Sequence, residues 1–213
     1  MLIEEIKHII DTCPYQFTEE EVPDPTKEVE CVIKWYDNHH DTRYITVAMY
    51  WIYKWRTLPP EALIHDPLIE CDGLTMAMFW IWFCKCDVPE WMRHDPTVCN
   101  DEGETCAMQW IIWNEEDVPE WMRHNANIQD NDGDTCAMLW IRLCECDVPE
   151  WMRHDPLLKN NAGETCAMQW IRFCKCDVPE WMRHNANIQN NDGDTCAMLW
   201  RKFINDTPPP ELL

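Results

Sequence analysis

Residues 133–154 read Gly-Asp-Thr-Cys-Ala-Met-Leu-Trp-Ile-Arg-Leu-Cys-Glu-Cys-Asp-Val-Pro-Glu-Trp-Met-Arg-His, and most of the chain is a variation on this phrase. Asp-Val-Pro-Glu-Trp-Met-Arg-His recurs at 87–94, 117–124, 147–154 and 177–184, and Thr-Cys-Ala-Met at 105–108, 135–138, 165–168 and 195–198. All five glycines, Gly73, Gly103, Gly133, Gly163 and Gly193, stand 30 residues apart. A fixed period of this size marks a solenoid, in which each unit covers the apolar face of its neighbour.

The spacing inside one unit predicts its parts. Gly133 suits a turn with positive φ. Thr135 suits a helix N-cap, its hydroxyl accepting a free backbone N–H. The helix is expected over about 136–144, with Ala137, Trp140 and Ile141 on one apolar side. Asp147 resembles a second N-cap, with Pro149 in the first turn of a short second helix whose apolar side is Trp151 and Met152. His154 closes it ahead of Asp155-Pro156, because a residue before proline is pushed out of the α region. Trp140 and Trp151 then become two aromatic rows running from unit to unit.

The units also alternate over 60 residues, between His94-Asp-Pro with Gly103-Glu-Thr and His124-Asn-Ala with Gly133-Asp-Thr. The ends differ. Thr46-Val-Ala-Met-Tyr-Trp51 is a degraded first copy, and Leu58-Pro-Pro-Glu its second helix. Arg201 stands where Ile111, Ile141 and Ile171 stood, which implies that little packs beyond it. The predicted divisions are an N-terminal helical cap over 1–41, an array over 42–206 and a terminal half-repeat over 207–213. Within the cap, Leu2 to Ile10 reads as one amphipathic helix and Glu28 to Tyr36 as another, on the helical spacing of Val29, Val32, Ile33 and Tyr36.

The loop Asn125-Ala-Asn-Ile-Gln-Asp-Asn-Asp-Gly-Asp-Thr135 resembles that of the ankyrin repeat, where Gly-Ala-Asp-Val-Asn leads to Asp-x-Gly-x-Thr. The resemblance covers about residues 42–213. It implies an all-α fold of about six stacked helix–turn–helix repeats with the helices paired antiparallel, and a concave face of first helices and loop tips that binds another protein. The chain departs from that pattern: its period is 30 rather than 33. Cys136-Ala137-Met138 also replaces Pro-Leu-His, so the family's threonine–histidine hydrogen bonding is expected to be absent. Trp140 takes a small residue's place.

Composition narrows the partners. With 39 acidic against 17 basic residues the formal charge is −22, which repels nucleic acid and anionic membrane surfaces and favours a basic protein. The same charge also keeps an aromatic-rich array in solution. The start has no basic region followed by a long apolar run, and no apolar stretch approaches a membrane span. Most of the 14 cysteines fall in two repeat rows and read as small buried hydrophobes and reduced thiols in a cytoplasmic protein.

Serine is absent from the chain, so serine nucleophiles are excluded, and one glycine per repeat cannot make a phosphate loop. Asp130-Asn-Asp-Gly-Asp134 fails the calcium-loop pattern, because Gly133 as the sixth residue puts Ile128 first and Leu139 twelfth. A histidine in every copy reads as a helix C-terminal residue. Positions that vary between copies are the candidate partner-binding residues. Glu104, Asp134, Glu164 and Asp194 edge the loop; Gln109, Leu139, Gln169 and, further along the helix, Ile112, Arg142 and Arg172 lie on the first helices. The expected function is a non-enzymatic protein-binding module without cofactor or metal. The alternatives are a thiol-based metal or redox protein using the Cys-x-Cys row 84/86, 144/146 and 174/176, and a structural scaffold.

Overall fold

A computed structural model describes residues 4, 8, 10–11, 26, 28–34, 40–71, 73–144 and 147–212. The chain falls into two compact units, Met1–Asp95 and Pro96–Leu213.

In the first unit, β1 (Glu28–Lys34) and β2 (His40–Thr46) pair antiparallel, from Glu28 opposite Thr46 to Lys34 opposite His40. This corrects the helix expected over 28–36 and makes the protein mostly helical rather than all-α. Val29, Val32 and Ile33 carry β-branched side chains, which lose χ1 freedom in a helix and suit a strand, and strand pairing overrides their helical spacing. Tyr36 lies outside the described residues. Thr46 ends β2 and caps α1 (Val47–Trp55), its Oγ1 accepting from Met49 N at 3.1 Å. Thr75 caps α2 (Met76–Cys84) in the same way. Of the N-terminal helix, Glu4, His8, Ile10 and Asp11 are described and are helical. It docks on α1: Trp55 Nε1 donates to the Ile10 carbonyl, Tyr50 Oη to Asp11, and Lys54 pairs with Asp11.

The second unit holds α3 (Cys106–Asn114), α4 (Cys136–Cys144), α5 (Cys166–Phe173) and α6 (Cys196–Phe203), each packed on the next. The first six residues of α3, α4 and α5 are buried, and the C-terminal residues emerge. Trp110, Trp140, Trp170 and Trp200 form the expected buried row. Helices α3, α5 and α6 close on residues in the left-handed region, Glu115 (φ 55), Lys175 (φ 54) and Asn205 (φ 59), where an αL residue recovers an orphan carbonyl.

The second helix of each unit is a correction. Glu120–Met122, Glu150–Met152 and Glu180–Met182 are single 3-10 turns. Proline precedes each and no side chain caps it. Only Val118/Met122, Val148/Met152 and Val178/Met182 enter the core, while Trp121, Trp151 and Trp181 stay half-buried. Eight residues, 116–123 or 176–183, between the αL close and the histidine hold one turn and not two, and that turn points valine and methionine inward, not tryptophan. The pairing of full antiparallel helices implied by the family resemblance is therefore replaced by one helix and one turn per repeat.

The glycine turns hold as expected. Gly133 has φ +78, and a Cβ there would lie 2.8 Å from Asn160 Cα in the next loop. That close approach is how the loops stack. The Asn131, Asn161 and Asn191 amides donate to the carbonyls of Asp101, Asn131 and Asn161 at 2.7–2.8 Å, each bond spanning one repeat. Parallel backbone bonds run from Asn131, Asn161 and Asn191 to Glu102, Asp132 and Ala162. Nothing in the spacing had pointed to this ladder.

Candidate functional site

Two polar systems recur in the repeats. One begins at the threonine cap. Thr105 Oγ1 accepts from Met108 N and lies 2.8 Å from His124 Nε2. The same pairing joins Thr46 to His65, Thr75 to His94 and Thr165 to His184, always across 19 residues. Each histidine's Nδ1 lies 2.8–3.0 Å from the next residue's carbonyl. A carbonyl only accepts, so Nδ1 carries a proton; in the neutral ring Nε2 is then a lone pair to which the threonine hydroxyl donates. Threonine–histidine bonding, expected to be absent, is therefore present. It uses the histidine after the 3-10 turn, which takes over from the missing one at the helix start. The reading of these histidines as helix-dipole partners gives way to this role.

The same imidazoles reach the next repeat. His124 Nε2 is 3.7 Å from Cys136 Sγ and His184 Nε2 is 3.8 Å from Cys196 Sγ. His154 Nε2 is 3.0 Å from Cys166 Sγ, and that thiol also bonds the Thr135 hydroxyl. A cysteine beside a histidine invites comparison with a nucleophilic dyad, which needs a thiolate and an imidazolium. The environment pushes both groups the other way. Burial raises the Cys136 and Cys196 thiols to about 12 and the Cys166 thiol higher still. Burial also lowers the imidazoles of His124 and His154. In the His124/Cys136 and His154/Cys166 pairs both shifts favour the neutral forms, and their solvent-free position gives no substrate access to sulfur: Cys136 and Cys166 are fully buried.

The second system takes in the predicted partner-binding residues. Asp134, 2% exposed, binds Arg142 Nη1 at 2.7 Å and accepts from Asn160 and Gln169 of the next repeat at 2.9 and 3.3 Å. Glu164 pairs with Arg172 and bonds Asn190 of the next repeat; burial raises its carboxyl and Arg172 opposes that. Asp194 has Lys202 at 3.6 Å and is more exposed. Glu104, whose repeat carries Ile112 in place of an arginine, is satisfied by Asn100 and Gln109 instead; Gln109 in turn accepts from Trp113. Of the ten predicted residues, Gln109, Asp134, Leu139, Glu164 and Gln169 are buried. Glu104, Ile112, Arg172 and Asp194 are half-buried, and Arg142 is exposed. The carboxylates brace the arginines from within, and the arginine heads reach the surface. The residues that sequence reasoning missed are the asparagines at 160 and 190, whose only signal was their place four residues before each carboxylate.

In the Cys-x-Cys row, Cys84 and Cys174 are half-buried and Cys86 and Cys176 exposed, while Cys146 lies outside the described residues. Burial, then the neighbouring Cys86, raises the Cys84 thiol to about 12. No helix among the described residues is long and apolar enough to cross a membrane.

The chain is thus a helical repeat protein built on a thirty-residue unit with regularly placed cysteine, histidine and acidic residues. No protein-family model and no curated protein matches it.

Proposed function

We propose that the chain is a non-enzymatic, ankyrin-like binding module that takes another protein on the helix face where Ile112, Arg142 and Arg172 occupy one repeat position. The observation that carries this reading is the bracing of Arg142 and Arg172 by the buried carboxylates Asp134 and Glu164. Side chains already fixed in the free protein lose little entropy on association, which favours recognition over general solvation. The repeat presents these positions on successive helices, at about 8–10 Å intervals for packed helices. The loop edge beside them carries the exposed acids Asp101, Glu102, Asp132 and Asp192, and with a net charge of −22 the partner that fits is a basic protein. Neither nucleic acid nor an anionic membrane suits that charge.

The test is comparative affinity capture from the source cell with mass spectrometry. Wild type is compared with Ile112→Glu/Arg142→Lys/Arg172→Lys, in which both buried carboxylates keep a cation but lose the guanidinium fork. The variant is expected to keep the wild-type circular dichroism and lose its partner. Equal capture by both proteins would refute the assigned face. Stoichiometric zinc or copper in protein prepared without chelator would favour the thiol-based alternative.

A further inference from the structure

We propose that His124 and His154 are acid-sensitive locks between neighbouring repeats of residues 96–213, whose protonation loosens the seams from α3 to α5. The hydrogen-bond pattern suits neutral rings. His124 Nδ1–H is committed to the Asn125 carbonyl at 2.9 Å, and Nε2 receives the Thr105 hydroxyl at 2.8 Å. A proton added at Nε2 would force the Thr105 hydroxyl to turn its own proton away within a fully buried site, where Met108 N already takes one of the oxygen's two lone pairs. On its other side stands the Cys136 thiol. His154 Nδ1–H is held by the Asp155 carbonyl, and its Nε2 faces the Cys166 thiol at 3.0 Å, a donor and only a weak acceptor.

The groups around each ring do not offset the charge. Around His124 are Thr105 at the cap of α3, Cys136 at the start of α4 with Asp130 acting on that thiol, and the Trp151 edge at 6.3 Å. Around His154 are Asp155, Cys166 at the start of α5 with Asp134 acting on that thiol, and the Trp181 ring at 5.9 Å. Asp155 favours the protonated form, but burial outweighs it; Asp134 is already paired with Arg142. Asp130 is itself pushed toward its neutral form by burial. Both rings therefore sit below the range of a free imidazole, and the unfolded chain binds more protons than the folded one once the pH drops into that range. The contribution is complete above the free-imidazole range and is lost as pH falls through it. Each ring joins a threonine or carbonyl of one repeat to a cysteine of the next, so the loss falls on the seam.

Hydrogen exchange of the full chain, corrected for intrinsic rates, tests this at about pH 7.5 and about pH 5.5, on either side of the free imidazole value. Helices α4 and α5 are expected to lose roughly tenfold in protection at the lower pH, and His124→Gln/His154→Gln to remove that loss, since a carboxamide oxygen still accepts from Thr105 without titrating. Equal loss in wild type and variant overturns the proposal. Histidine ring-proton titration of the wild type decides independently of how the variant folds: both rings titrating below the free-imidazole range supports the lock, and both within it overturns it.

Discussion

The Thr105 hydroxyl accepts from the helix and donates to an imidazole, so its removal harms two groups. Thr105→Val is expected to cost about 1–3 kcal/mol, from the lost cap and the orphaned His124 nitrogen, measured by urea unfolding; a loss below about 0.5 kcal/mol, the range of ordinary surface changes, contradicts the pairing. Glycine offers a second contrast at this scale. Gly193 has φ +83 and nothing within 4 Å of an added Cβ, whereas at Gly133 that atom would meet the backbone of Asn160 at 2.8 Å. Gly193→Ala should cost about 1 kcal/mol for the left-handed conformation, and Gly133→Ala about 2–4 kcal/mol with overpacking added. Equal costs would mean that the loops do not touch. The glycine turns and threonine caps were legible in the sequence because each is a local device with its own residue type. The histidine's role was not, because its partner lies 19 residues back and only the fold brings them together.

Helices α3, α4 and α5 each bury a methionine completely, at Met108, Met138 and Met168; in α6 the equivalent Met198 is 47% exposed. Met168→Ala is accordingly expected to cost about 2–5 kcal/mol and Met198→Ala less than about 1 kcal/mol, read from denaturant midpoints at constant m. A large loss at Met198 would show that its face is covered. The first helix of each repeat could be read from the stripe of Ala137, Trp140 and Ile141. The second element could not, since Asp-Val-Pro-Glu satisfies the rules for a helix start, yet the chain has room for one 3-10 turn. Val148 and Met152 then go inward and Trp151 stays half-buried. In the hairpin of β1 and β2, Val29, Val32 and Ile33 fit a helical spacing, and β-branching with strand pairing overrode it.

At the scale of the molecule the thirty-residue period carries the fold and the charge of −22 constrains the company it keeps. The candidate face was legible only in part. Variation among copies located the loop-edge carboxylates and the arginines beyond them, but it could not show that Asp134 and Glu164 spend their charge on Arg142 and Arg172. Variable positions mark both surface tolerance and matched internal pairs, and one sequence does not separate them. The central claim is that repeats within 96–213 are interchangeable modules stacked in chain order. It is tested most directly by deleting residues 136–165, which rejoins Thr135 to Cys166 in register, beside a control lacking 136–150. Urea unfolding followed by circular dichroism should show a helical, cooperatively unfolding protein for the thirty-residue deletion and loss of cooperative unfolding in the control. Loss of the cooperative transition in both deletions would contradict the account.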